Sequence, residues 1–220
     1  MIDTVEESFG NNILKYFKDN NINELDYLII THFDKDHVGS AASIIDNIKI
    51  LNVLQSNYPK DSEYYLKYKA SLEKNNITPV TVEGNMEFSL EEMKIIVDGP
   101  TKIYDKNESN NSSLIVKLNY KNTDYLFMGD AENARIKDFL SEESKTYDFI
   151  KIPYHGNELK RIPELLIQTN PTYAVITSSL EKKESNKTIQ TLKELKIKYY
   201  LTRNGSIDLG SDGENIYIYQ

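Results

Sequence analysis

The sequence predicts a mixed α/β layer fold, and three observations carry that reading. Apolar runs with strand character alternate with helical patterns along all 220 residues, the arrangement that covers sheets with helices. Paired strand signals in the middle and at the end make part of the sheet antiparallel. No internal repeat or low-complexity linker interrupts the pattern, so residues 1–220 read as one domain.

Ile13, Leu14 and Phe17 recur at helical spacing and predict a short helix over 11–20. The Leu- and Ile-rich stretch 25–32 predicts a buried strand, followed by a helix over 41–48 and a strand over 48–55. Residues 61–75 carry a charged amphipathic helical pattern, and strands are expected at 78–82 and 86–99. Residues 105–113, DKNESNNSS, are polar and turn-forming and predict a loop. Residues 113–120 and 123–129 read as a hairpin with Lys121 and Asn122 at its turn. A helix over 131–143 and a strand over 147–153 follow, then a loop over 154–161 that leads into 163–168. The last part repeats the alternation with a strand at 173–178, a helix at 188–196, a strand at 198–202 and paired strands at 206–210 and 215–219.

Composition narrows the chemistry. Apolar residues make up 39% and charged residues 27%, an ordinary globular mixture. No run of apolar residues is long enough for a transmembrane helix, and the acidic N-terminus lacks the apolar core of a signal peptide. Without cysteine there are no disulfides, no thiol nucleophile and no thiolate metal site. Any metal must therefore be held by His, Asp, Glu or Asn. A net charge of −8 disfavours a broad surface for long nucleic acid, whose affinity rests on clustered Lys and Arg.

Residues 31–40 read THFDKDHVGS. His32, Asp34, Asp36 and His37 fall within six residues of a chain that has three histidines in all. They follow the end of the predicted buried strand, where rigidly held loops carry chemistry. If the backbone stays extended, residues 32, 34 and 36 point to one side, and His37 joins them once the chain turns into the helix announced by Gly39. Two imidazoles and two carboxylates suit Zn²⁺, Mn²⁺ or Fe. A solvated turn with helix-capping aspartates is the plainer reading, and the density of ligand-type side chains favours the metal.

The motif also resembles the His-x-His-x-Asp-His signature of the metallo-β-lactamase fold, with Asp34 in place of the middle histidine. This variant is similar to the hydrolase domain of ComEC-type DNA-uptake proteins and their stand-alone bacterial relatives. The resemblance continues through NNSSLIVKLNYKNTDYLFMGDAE (110–132), FIKIPYHGN (149–157) and LTRNGSIDL (201–209). It implies a four-layer αβ/βα sandwich with two divalent ions, Zn²⁺ or Mn²⁺, at one edge. On that pattern His32 and Asp34 hold the first ion, Asp36 and His37 the second, Asp130 bridges both, and His155 completes the second site. Asp36 and Asp130 are then the catalytic carboxylates, with Asp36 orienting the attacking water. Asp130 also suits a cap for a helix beginning near Ala131, and His155 a loop histidine bonded to backbone. Asn110 stands where the wider fold supplies a third histidine to the first ion, and is either a weak ligand or a loop cap. Tyr154 replaces the first histidine of a His-His-Gly loop, as a second-shell donor or as packing.

Two departures from the family pattern stand out. MIDT resembles an Ile-Asp-Thr-Gly segment that relatives place after a strand hairpin, so the chain reads as N-terminally shortened, with Val5 at the glycine position. A missing hairpin would expose a sheet edge and invite a homodimer. It also bears on location: the chain as given reads as cytoplasmic, and an upstream signal would make it extracytoplasmic. The late His-Pro of the relatives is here Asn186-Lys187.

Taken with the resemblance, these residues predict a metal-dependent hydrolase that uses a metal-bound hydroxide. A small phosphodiester or nucleotide-like phosphorylated compound is the expected substrate. The alternatives are a ComEC-like nuclease acting on DNA and a truncated domain that binds metal or a partner without turnover.

Overall fold

The computed structural model describes residues 1–104 and 109–220. Residues 105–108 of the expected polar loop lie outside the described residues. The chain divides into two compact units, Met1–Gly84 with Gly99–Leu114, and Asn85–Asp98 with Ile115–Gln220. Both combine strands and helices, so the mixed α/β class expected from the sequence is the one found.

The first unit is built on a parallel sheet. Helix α1 (Gly10–Asp19) buries Phe17 and packs Ile13 and Leu14 against the unit's core, the face their spacing predicted. Strand β1 (Glu24–Ile30) crosses through α2 (Lys35–Val38) and α3 (Ala41–Asn47) to β2 (Lys49–Gln55), which lies parallel to it with Leu28 opposite Val53. Helix α4 (Glu63–Lys74) then leads to the short parallel strand β3 (Val80–Thr81). The Ser62 hydroxyl starts α4 by accepting from the Tyr65 amide at 3.2 Å. Parallel strands covered by helices bury both faces, which is why Leu28, Ile30, Ile44, Val53, Val38 and Tyr68 form one buried cluster. Residues 1–3 add to the outer edge of β1: the Ile29 amide donates to the Met1 carbonyl and the Asp3 amide to the Ile29 carbonyl, each at 2.9 Å.

The second unit is a seven-stranded mixed sheet. It contains β4 (Gly84–Leu90), β5 (Met93–Gly99), β6 (Ile115–Tyr120), β7 (Thr123–Phe127), β8 (Phe149–Lys151), β9 (Tyr173–Ile176) and β10 (Lys198–Leu201). In space they run from β10 to β4 in descending order. The strands from β5 to β7 pair antiparallel, whereas those from β7 to β10 pair parallel and are connected by α5 (Asn133–Glu142), α6 (Ile162–Thr169) and α7 (Asn186–Glu194). Leu126, Met128, Ile136, Ile150, Leu165 and Ile176 anchor the main core. A hairpin of β11 (Asp208–Ser211) and β12 (Ile216–Tyr219) packs Ile207, Ile216 and Ile218 onto Tyr125, Phe149 and Val175. Arg135 of α5 is buried and donates to the carbonyl and carboxylate of Asp98 at 2.7 and 2.8 Å.

Some expected boundaries shift. The stretch 86–99 divides into β4 and β5 at a turn where Glu91 takes φ 50°. The strand expected at 78–82 contracts to β3, and the helix expected from 131 begins at Asn133. No helix among the described residues is long and apolar enough to cross a membrane.

Candidate metal ligands

In the first unit the chain leaves β1 at Ile30, stays extended to Asp34 (φ −72°, ψ 151°) and enters α2 at Lys35. The alternation expected across 32, 34 and 36 therefore stops at Asp34. Asp36 and His37 project from a helical turn that begins well before Gly39, because the Asp34 carbonyl accepts from the amides of His37 and Val38, both at 2.9 Å. Asp34 occupies the cap position but makes no side-chain capping bond. Gly39 allows residues 5–7 to pass close by: a Cβ there would lie 2.9 Å from the Val5 carbonyl and 2.8 Å from the Glu7 nitrogen. Val5 itself takes φ 59°, a conformation costly for a β-branched residue and natural for glycine.

His32 and His37 are both buried, with ring centroids 4.0 Å apart. Their orientation comes from Asp3. Its Oδ1 accepts from the Thr31 amide at 2.7 Å, and its Oδ2 accepts from the Thr31 hydroxyl at 2.8 Å and faces His37 Nδ1 at 2.7 Å. A carboxylate only accepts, so His37 Nδ1 carries the proton. The Thr31 hydroxyl spends its own proton on Asp3, so its oxygen accepts from His32 Nδ1 at 3.1 Å. Ser113 Oγ stands 3.4 Å from the same nitrogen. Both rings thus carry their lone pair on the buried Nε2.

Asp34 lies 3.9 Å from His32 Nε2 through Oδ1. That oxygen also receives the Lys60 ammonium at 2.5 Å and the Ser109 hydroxyl at 2.6 Å. Burial pushes the Asp34 carboxyl up, but the Lys60 and Ser109 hydrogen bonds outweigh it and hold it below the usual carboxylate range. Asn110 is half-buried in a 3₁₀ turn spanning Ser109–Ser112, and its carbonyl accepts from the Ser113 amide at 3.0 Å.

The second unit holds Asp130 and His155. Asp130 follows β7 and is buried. It does not cap α5, whose cap position is Glu132. Its Oδ1 lies 3.3 Å from Lys151 Nζ, and its Oδ2 lies 3.0 Å from His155 Nε2. His155 Nδ1 donates to the Thr177 carbonyl at 2.8 Å. That bond fixes the proton on Nδ1, so a neutral His155 turns a lone pair toward a carboxylate oxygen. Two acceptors at 3.0 Å repel unless a cation or a second ring proton lies between them. Tyr154, His155 and Gly156 run at φ 50°, 52° and 69°, a strained left-handed stretch that aims the imidazole. The Tyr154 ring packs on the unit's core.

The donor chemistry fits a divalent ion. All three histidines have Nδ1 engaged by the protein and present Nε2, the arrangement that outer partners impose on metal-bound histidines. The sequence reading missed the groups that do this. Thr31 opens the quoted stretch without being singled out, and Thr177 carries no motif signal, nor do Lys60, Ser109 and Lys151, which hold the candidate carboxylates. Only the Ile-Asp-Thr likeness at residues 2–4 pointed toward Asp3.

The sequence profile of the Metallo-beta-lactamase superfamily matches residues 1–178. The chain is 23% identical over 192 residues to ComE operon protein 3 of Bacillus subtilis (strain 168), a match that covers 84% of this chain and 24% of that protein. This chain thus spans about a quarter of that relative's length. Among solved structures, the metallo-beta-lactamase fold protein YhfI from Bacillus subtilis aligns with a TM-score of 0.54 at 8% identity, over 94% of this chain and 83% of that one. Igni18, a metallo hydrolase from the archaeon Ignicoccus hospitalis, aligns with a TM-score of 0.53 at 12% identity, over 89% and 79%. At these identities the structural likeness shows the fold alone.

Proposed function

The chain belongs to the metallo-beta-lactamase superfamily, and on that premise we propose that it is a metal-dependent hydrolase of small phosphodiesters or related phosphorylated compounds. The observation that carries the reading is the state of the histidines. Each is held through Nδ1 with a buried Nε2, and two of them, His32 and His155, stand beside the candidate carboxylates Asp34 and Asp130. His32, Asp34, Asp36, His37, Asp130 and His155 form the proposed ligand set for two divalent ions, Zn²⁺ or Mn²⁺. Their grouping around one ion pair is taken from the family resemblance. The chain is proposed to work as a single domain.

Bound there, divalent ions supply a nucleophilic hydroxide at neutral pH and charge to offset the developing oxyanion. The protein's own residues do the rest. Asp3 and Thr31 keep His32 and His37 in one tautomer and one orientation. The Thr177 carbonyl does the same for His155. Lys151 places a positive charge beside Asp130 and restrains its carboxylate. Asp36 is assigned to orient the attacking water. Asn110, a neutral and weak donor, leaves the first metal position poorer in ligands than a third histidine would.

The test measures metal and turnover together. Protein purified without chelators is expected to carry one to two equivalents of Mn, Zn or Fe by mass spectrometry. It should hydrolyse bis-p-nitrophenyl phosphate or a short oligonucleotide when Mn²⁺ is supplied. Asp130→Asn is expected to abolish turnover with the fold retained. Full turnover in Asp130→Asn, or a wild-type chain that takes up neither Mn²⁺ nor Zn²⁺, would end this reading.

A further inference from the structure

Lys60 lies between β2 and α4, outside every motif noted in the sequence. Its ammonium sits 2.5 Å from Asp34 Oδ1. This is the same oxygen that accepts from Ser109 at 2.6 Å and faces His32 Nε2 at 3.9 Å. One oxygen therefore has two uses. It is the Asp34 atom nearest a candidate metal-binding nitrogen, and it already holds a cation.

Geometry and charge agree on the consequence. Neighbouring donors about 2.1 Å from one ion stand roughly 3.4 Å apart at tetrahedral angles and about 3.0 Å apart at octahedral ones. The 3.9 Å separation is wider, so sharing an ion through this oxygen draws Asp34 toward His32 while the same oxygen is held by Lys60 and Ser109. An ammonium beside the carboxylate also lowers the attraction of that position for any divalent cation. Lys60 can withdraw, because its side chain is one-third exposed, at 34%, on a flexible four-carbon stem. The competition is thus reversible, and among the described residues it acts on Asp34.

We propose that Lys60 is a tethered cation that competes with metal for Asp34 and keeps the first metal position the weaker of the two. The site then fills in two steps, the first position loading only at higher divalent-ion concentration. This inference rests on the reading of Asp34 as a metal ligand.

The experiment is a calorimetric titration of Mn²⁺ into the full-length, metal-stripped chain. It compares wild type with Lys60→Met, Lys60→Gln, Lys60→Arg, Asp34→Asn and, as a charge control, Lys15→Met. Lys15 pairs with Asp19 on α1. Two binding steps are expected in wild type. Lys60→Met should tighten the weaker step about ten- to a hundredfold, a range that allows for solvent screening of a partly exposed ammonium. Lys60→Arg should bind as wild type does, Lys15→Met should change nothing, and Asp34→Asn should remove the weaker step. Circular dichroism checks folding, and Lys60→Gln serves in place of Lys60→Met if the apolar variant does not fold. Unchanged or weaker Mn²⁺ binding in the folded Lys60 variants would overturn the proposal, as would equal tightening in Lys15→Met. Two intact steps in Asp34→Asn would overturn it while leaving the metal-dependent hydrolase standing. A wild-type chain that takes up no Mn²⁺ would remove the functional reading itself, and the inference with it.

Discussion

Asp3→Asn replaces a single oxygen by an amide nitrogen, and the geometry predicts a loss of metal affinity larger than the loss of stability. Asp3 Oδ1 must go on accepting from the Thr31 amide at 2.7 Å, so the asparagine oxygen takes that place. Its NH₂ then takes the place of Oδ2, 2.8 Å from the Thr31 hydroxyl and 2.7 Å from His37 Nδ1. A donor there forces His37 Nδ1 to accept, which moves the ring proton to Nε2. The Thr31 hydroxyl, now accepting from the amide, turns its proton toward His32 Nδ1 at 3.1 Å and reverses that ring as well. Both imidazoles then present N–H where a lone pair is needed. Loss of such an outer partner costs about ten- to a hundredfold in metal affinity. Exchanging a charged acceptor for a neutral one costs about 1–2 kcal/mol of stability. Asp3→Ala should cost about 3 kcal/mol, because it strands the amide of Thr31, a fully buried residue, with no acceptor. Mn²⁺ titration, urea denaturation of the metal-free protein and ¹⁵N shifts of the imidazole nitrogens together read both effects. A folded Asp3→Asn variant with wild-type metal affinity and Nδ1-protonated histidines would refute the reasoning.

Two further outcomes follow from the second unit. Arg135→Ala should lower stability by about 3 kcal/mol in urea denaturation, because it leaves the Asp98 carboxylate mostly buried without its guanidinium. Combining Arg135→Met with Asp98→Asn should recover much of that loss. The other outcome is acid sensitivity at Glu143. Burial pushes its carboxyl up, but the Lys145 amide, the Tyr147 hydroxyl and Lys117 together hold it below the ordinary 4.5. A depressed carboxylate stabilises the fold at neutral pH and loses that contribution as pH falls below 4.5 toward the folded-state value. The thermal midpoint should therefore drop less steeply on acidification in Glu143→Gln than in wild type, and identical slopes would remove Glu143 from the account.

Much of the fold was legible because it is written in local patterns. The spacing of Ile13, Leu14 and Phe17 gave α1, and the Lys121-Asn122 turn gave the β6–β7 hairpin. The boundaries that moved did so for backbone reasons. Glu91 in a left-handed turn divides the stretch 86–99, and the Asp34 carbonyl opens α2 early by collecting two amides. The same division holds for the candidate ligands. His32, Asp34, Asp36 and His37 announce themselves by density within one short segment, whereas their supports act across distance in the chain. Asp3 reaches His37 across 34 residues, Lys60 reaches Asp34 across 26, and Ser109 reaches it across 75. A lysine or a serine standing alone has no pattern to betray it, the Ile-Asp-Thr likeness marked Asp3 without its role, and each role appears only when the fold brings the residue to its partner.

The left-handed run at Tyr154 and His155 carries a consequence for anyone engineering this protein. A non-glycine residue in that conformation costs about 1–2 kcal/mol, so His155 is where random mutagenesis under heat selection would find an easy gain, whereas replacing Tyr154 forfeits its packing on the core. Such a search is blind to where the imidazole points. Relaxing the run lets His155 swing off the Thr177 carbonyl and away from Asp130. Thermal hardiness and the proposed ion capture are thus set against each other at His155, and a selection that monitors only survival on heating would discard the second while improving the first.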